Sequence, residues 1–138
     1  MVNSVIEKII KDKICQDDFL DLEKFLKIIL YEKKYGFYNQ INNFQKTLIG
    51  KNGHFVTAPE ISQIFGELIA IWLIDYFYKS NSSCINLIEL GPGNGTLMHD
   101  ILRVINQQKN INLKINLYFL ETSSKLKQIQ HEKIDHYK

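Results

Sequence analysis

The sequence predicts an α/β fold in which N-terminal helices are followed by the first βαβα portion of a parallel sheet layer. Three observations carry that expectation. Ile85 to Leu90 is a short, nearly all-apolar run, as expected of a buried parallel strand. A glycine-rich turn, Gly91 to Gly95, ends it, and Leu97, Met98, Ile101, Leu102 and Ile105 then recur at helical spacing. In the following run Ile115, Leu117 and Phe119 alternate with Asn116 and Tyr118, which completes a βαβ unit.

The elements before that unit read as helices and one long loop. Ser4 with Glu7 three residues later is a capping-box pattern, and Val5, Ile6, Ile9, Ile10 and Ile14 predict a first helix of about ten residues. Phe19, Leu22, Phe25, Leu26, Ile29 and Leu30 predict a second, which should stop before Gly36. Tyr35 to Gly53 mixes aromatic residues with Asn, Gln and Gly and reads as a long, partly extended loop of the kind that often carries function. Thr57 and Glu60 repeat the capping-box signature, with Pro59 in the first turn, so a helix is expected to run to about Tyr78. Ile61, Ile64, Phe65, Leu68, Trp72 and Tyr76 form one apolar stripe, expected to lack part of its packing surface here, while Glu60, Gln63 and Glu67 mark another face. The Trp72, Tyr76, Phe77, Tyr78 cluster is expected to pack in the core, with an aromatic ligand platform as its alternative. Asn81 to Ser83 break this helix, and Leu126, Ile129 and Ile134 suggest a last one. The expected organisation is residues 1–80 as a helical region and 81–138 as the start of a ligand-binding sheet domain.

Composition narrows the class. With 138 residues, 45% hydrophobic and 23% charged, the chain suits one globular domain and neither disorder nor a disulfide scaffold. Its 17 basic residues against 15 acidic ones are spread along the chain, so no basic stripe points to nucleic acid. Cys15 and Cys84 lie far apart, with no Cys/His spacing suited to zinc, so no metal site is expected and a reducing compartment is. The N-terminus lacks the apolar core of a secretory signal, and the most apolar run, Leu68 to Tyr78, is too short to span a bilayer and contains Asp75.

The chemistry sits in Glu89-Leu90-Gly91-Pro92-Gly93-Asn94-Gly95-Thr96, between a strand and a helix, where a glycine turn lets backbone N–H groups approach a ligand. A dinucleotide fingerprint would need its third glycine at position 96, which is Thr96, so nicotinamide redox chemistry is disfavoured. The segment matches instead the E-x-G-x-G-x-G pattern of class I methyltransferases. Their ligand, S-adenosyl-L-methionine, has no pyrophosphate and carries sulfonium and ammonium cations, for which nearby carboxylates make electrostatic sense. The candidate cofactor-binding residues are therefore Glu89, Gly91, Gly93, Gly95 and Glu121. Glu89 would hold the loop or reach the ligand's amino group through water. Glu121, ending the second strand, would accept the ribose hydroxyls, with helix capping or solvation as its alternative.

The chain also resembles the MidA family of these enzymes. The resemblance rests on His54 to Ile69 with its Thr-Ala-Pro-Glu-Ile-Ser block, on Ile88 to Met98, on Asp100 to Arg103, on Leu120 to Leu126, and on Ile29 to Tyr31 followed by Tyr35 to Tyr38. It covers about residues 20–130. His54, Asn94, Ser124, Lys33 and Lys34 depart from the family pattern without removing a glycine or either carboxylate. The resemblance implies a Rossmann-like class I methyltransferase fold that is incomplete here, because family members are much longer. It implies methyl transfer to a protein arginine in respiratory complex I assembly, with a complex I subunit as substrate. The expected location is cytoplasmic in a bacterium, or the mitochondrial matrix in a eukaryote.

No catalytic residue is assigned. Two strands cannot complete a doubly wound sheet, so the chain is expected to be a truncated or split-gene piece, of low stability alone and needing a second polypeptide. The rival expectation is a non-enzymatic fragment that docks onto a partner. His54 and Glu67 are lesser candidates for lining a cleft, each with solvation as its alternative, and His99, His131 and His136 are expected at the surface.

Overall fold

A computed structural model of the chain describes residues 2–40, 48–80, 82–108 and 114–137. By its contacts the chain divides into two compact units, Met1–Lys46 with Ser123–Lys125, and Thr47–Thr122 with Leu126–Lys138.

The first unit holds α1 (Val2–Asp17), α2 (Leu22–Tyr31) and the 3-10 turn η1 (Phe37–Asn39). Helix α1 has 16 residues, not the expected ten, and begins before Ser4, which therefore lies inside the first turn and does not cap it. Lys and Glu are good helix formers, and Glu7 accepts a bond from Lys11 one turn on at 2.7 Å, so the helix runs beyond its apolar positions. Helix α2 is started by Asp21, whose carboxylate accepts the Lys24 N–H at 2.7 Å. It ends at Tyr31, where the Glu32 carboxylate accepts the Lys34 N–H at 2.8 Å and turns the chain. Tyr31 and Tyr38 stack with ring centres 5.5 Å apart. Of the loop expected over Tyr35 to Gly53, residues 41–47 lie outside the described residues, and η1 occupies part of the rest.

The second unit carries the sheet. The helix expected from Thr57 to Tyr78 is two: α3 (Ala58–Ile61) and α4 (Gln63–Ser80), separated by Ser62 in extended backbone at φ −148°, ψ 127°. Thr57 stands at the N-cap of α3 but its side chain makes no cap bond, and Glu60 is engaged elsewhere. The apolar stripe is exposed at Ile61, Ile64, Phe65, Leu68, Trp72 and Tyr76, and the aromatic cluster expected in the core is not there: Trp72, at 63%, Tyr76 and Tyr78 face outward. Helix α4 turns its small residues inward, with Gly66 and Ala70 fully covered. A Cβ on Gly66 would lie 2.6 Å from the Asp100 Cβ, so glycine lets α4 approach closely the helix that follows the glycine turn, α5 (Thr96–Gln107).

Strands β1 (Cys84–Leu90) and β2 (Lys114–Leu120) pair in parallel, Cys84 opposite Lys114 and Leu90 opposite Leu120, with α5 as the crossover. Such a connection requires the helix to lie over one face of the sheet. Ala70, Met98, Ile101 and Ile105 form the buried core, with Leu73, Ile74, Leu87, Ile115, Leu117 and Phe119 packed against it. Glu67 on α4 is joined to Arg103 on α5 at 2.6 Å, so it is not simply solvated. The chain continues through α6 (Ser124–Ile134) into η2 (Asp135–Tyr137). His131 and His136 are exposed as expected. His99 is half-buried, its ring 5.8 Å from that of His136 and 5.6 Å from that of Tyr137, a contact that spans too many residues to show as ligand spacing.

Candidate cofactor-binding site

The glycine turn leaves β1 and enters α5 through three left-handed residues, Gly91 (φ 67°), Gly93 (φ 54°) and Gly95 (φ 72°). Gly93 is the position where this matters most. Its φ disfavours any L side chain, and a Cβ there would lie 2.8 Å from the Ile49 Cδ1. The turn is closed by the Gly95 N–H donating to the Pro92 carbonyl at 2.8 Å.

One backbone bond brings the two strand ends together, the Gly91 N–H donating to the Leu120 carbonyl at 2.9 Å. It places Glu121 next to the turn. The Glu121 carboxylate accepts the Thr122 N–H at 2.7 Å through Oε1 and the Gln130 amide at 3.2 Å through Oε2. The same Gln130 amide donates to the Gly93 carbonyl at 2.7 Å. From the α3 side, the Asn94 amide donates to the Ile49 carbonyl at 2.9 Å and to the Glu60 Oε1 at 3.1 Å. The Thr96 hydroxyl donates to the same Glu60 oxygen at 2.6 Å and accepts from the Lys133 ammonium at 2.7 Å. The turn is thus clamped from two sides.

These clamping groups are what sequence reasoning missed. Glu60 was expected to close a capping box, yet its carboxylate reaches 36 residues along the chain to Thr96. The Thr-Ala-Pro-Glu block was the available signal. Asn94, a departure from the MidA pattern, supplies both N–H groups of a short buried amide, so the substitution leaves the turn tied down.

Glu89 lies on the sheet face that also carries Leu87, and its Oε2 is buried with no hydrogen-bond partner among the described residues. Burial holds its pKa above the usual carboxylate range. A buried, unpartnered carboxylate oxygen costs free energy, and clefts are where such groups collect. Nearby, a Cβ on Gly91 would meet nothing within 4 Å. The open space over Gly91, the unpaired acceptor on Glu89 and the carboxylate of Glu121 fit a nucleoside bearing a cationic amino-acid tail. His54 is exposed on the loop before α3. A groove of about 690 Å³ beside the C-terminal half of α5, lined by residues including Leu102, Ile105, Leu117 and Tyr137, contains none of these site residues.

The fold and this turn define the N-terminal helices and first βαβα portion of a class I methyltransferase. A crystal structure of a methyl transferase candidate from Burkholderia thailandensis, solved with S-adenosyl-homocysteine bound, has the same fold: TM-score 0.77 at 19% identity, covering 99% of this chain and 34% of that one. A family profile described as Putative S-adenosyl-L-methionine-dependent methyltransferase matches residues 68–138, half of the chain. The chain belongs to this family, the MidA family of the sequence resemblance. Among similar proteins, the mitochondrial protein arginine methyltransferase NDUFAF7 of Danio rerio is 37% identical over 134 residues, covering 95% of this chain and 31% of the relative. The human protein of that name is 40% identical over 114 residues, 80% of this chain and 25% of the relative. The Drosophila melanogaster homolog is 33% identical, over 93% and 28%. The chain spans between a quarter and a third of the length of these relatives.

Proposed function

We propose that this chain supplies the S-adenosyl-L-methionine site of a protein arginine methyltransferase of MidA type. The observation that carries the reading is the buried, unpartnered Glu89 Oε2 beside the open space over Gly91. Gly91, Gly93 and Gly95 would let the backbone approach the cofactor, Glu89 would face its ammonium group, and Glu121 would accept the ribose hydroxyls. When bound, the cofactor supplies an electrophilic methyl on a sulfonium, which a nitrogen lone pair can displace. The part of this chain is to bind and orient, and alignment of that kind accounts for much of the rate in such transfers. No side chain here is placed as the base that takes the acceptor's proton.

A protein arginine as acceptor and a mitochondrial location are supported by the names of the NDUFAF7 relatives; a complex I subunit as that acceptor, and the matrix, rest on the family resemblance. The bacterial, cytoplasmic alternative stays with the sequence expectation. No helix among the described residues is long and apolar enough to cross a membrane. The exposed sheet residues Ile88, Leu90, Tyr118 and Leu120 favour a further feature, namely that the site works together with additional polypeptide packed on that face. The same observation supports the second reading, a binding fragment without transferase activity. Incubation of the purified chain with labelled S-adenosyl-L-methionine and candidate acceptor protein separates the two. Methylarginine formed by this chain alone would remove the binding-fragment reading. Cofactor cross-linking without transfer, with transfer restored by a polypeptide that covers the exposed sheet face, is the expected result. A chain that neither cross-links nor transfers in any combination would overturn the proposal.

A further inference from the structure

We infer that Gln130 is a positioning residue that sets Glu121 against the glycine turn, and with it the fit of a ribose. The inference rests on the cofactor reading above. Gln130 is only 2% exposed, yet it is polar, and its single amide nitrogen serves both halves of the site. It donates to the Gly93 carbonyl at 2.7 Å and to the Glu121 Oε2 at 3.2 Å. An amide nitrogen has two hydrogens, so both donors are spent on these partners. A side chain kept only for volume would be apolar there, because a buried amide is costly unless every hydrogen finds an acceptor.

The backbone of α6 supports the same geometry. A Cβ on Gly95 would lie 3.4 Å from the Gln130 Cα, so the helix rests on the turn at that point. Three residues on, Lys133 holds Thr96 at 2.7 Å, which fixes the helix to the start of α5. Gln130 is thereby held by its own helix while it bridges the turn and the end of β2. A carboxylate on a strand-end loop would otherwise sample several rotamers. Pre-setting one of them removes that ordering cost from ligand binding.

The test uses the 138-residue chain and S-adenosyl-homocysteine as probe. Gln130→Met keeps the volume and removes both donors, and is expected to weaken binding about tenfold, the loss of two hydrogen bonds acting through a bound carboxylate. Glu121→Ala combined with Gln130→Met should lose less affinity than the two single losses added together, because part of each runs through the same bond. A purely structural Gln130 would give additive losses, and that would overturn the inference. Gln130→Glu, equal in shape, places an acceptor opposite two acceptors and should be at least as weak as Gln130→Met. Wild-type affinity in that variant would also overturn it.

Amide hydrogen exchange supplies a readout without ligand. In Gln130→Met the Gly91 and Gly95 amides should exchange faster while those of Ile101 to Ile105 keep their protection. Unchanged exchange at both glycines would contradict the clamp even if the wild-type chain bound no probe. Failure of wild-type binding would count instead against the cofactor reading.

Discussion

The two faces of the β1–β2 sheet both carry large apolar residues, which meet different fates. On one, Leu87, Ile115, Leu117 and Phe119 pack against the core formed by α4 and α5. On the other, Ile88 pairs with Tyr118 and Leu90 with Leu120 in register, and all four stand more than half exposed. A strand that is apolar on both sides belongs to a sheet covered on both sides. The difference shows which face of the sheet this chain covers by itself, and Glu89 of the proposed cofactor site lies on that covered face. Gly91, Gly93, Gly95 and Glu121 are held by bonds made within one compact unit, where the Glu89 Oε2 is buried without a partner among the described residues.

The comparison can be broken most severely at the turn. Gly93→Val combines a φ of 54°, which a β-branched residue resists, with a contact onto Ile49, so the turn must distort to admit it. Loss of measurable S-adenosyl-homocysteine binding is expected in titration calorimetry, and retained binding would show that the glycines only make a tight turn. The faces themselves are compared by Leu117→Ala and Leu120→Ala. The first removes a side chain packed on the core and should cost about 2 kcal/mol in chemical denaturation. The second should cost within about 0.5 kcal/mol, as exposed substitutions do. Equal losses would mean that the outer face is covered in solution. Glu121→Ala is expected to weaken binding by roughly 1 to 3 kcal/mol, the usual loss for hydrogen bonds to a charged acceptor.

The smallest effect is expected at Glu89 and is a matter of pH. Burial raises its pKa above 4.5, so the folded chain holds this proton more tightly than the unfolded one. Stability from this group is therefore complete below about pH 4.5 and is lost as pH rises through the raised value. Glu89→Gln, which has no charge to bury, should match wild type at the acid end and be more stable above that window, as read by thermal unfolding across pH. Binding should change the other way, because the neutral amide oxygen can still accept from an ammonium group but offers it no opposite charge. A variant less stable than wild type at neutral pH would mean that the carboxylate has a partner in the ligand-free chain.

The βαβ unit was legible because its signals are local: the apolar run of β1, three glycines and the spacing of α5 lie within 24 residues, 84–107. What failed to show depends on residues far apart. Helical periodicity gave α4 an aromatic stripe but could not say that Gly66 and Ala70, which carry little hydrophobic signal, form the packed face. They do so because close approach to Asp100 needs small residues. The Thr57 and Glu60 pattern fits a capping box on paper, yet the Glu60 carboxylate has stronger partners in Asn94 and Thr96. Gln130 fell within the MidA resemblance, but its bonds to Gly93 and Glu121 arise only when α6 folds back onto the turn. Glu121 was placed correctly at the strand end, while its approach to the turn needed the Gly91 to Leu120 bond to be seen.

Titration of S-adenosyl-homocysteine into the wild-type chain tests the central claim most directly, with cooperative unfolding checked on the same sample. The account predicts saturable binding of one ligand per chain, abolished by Gly93→Val and weakened by Glu121→Ala. A folded wild-type chain that shows no saturable binding, or binding that survives Gly93→Val unchanged, would contradict it.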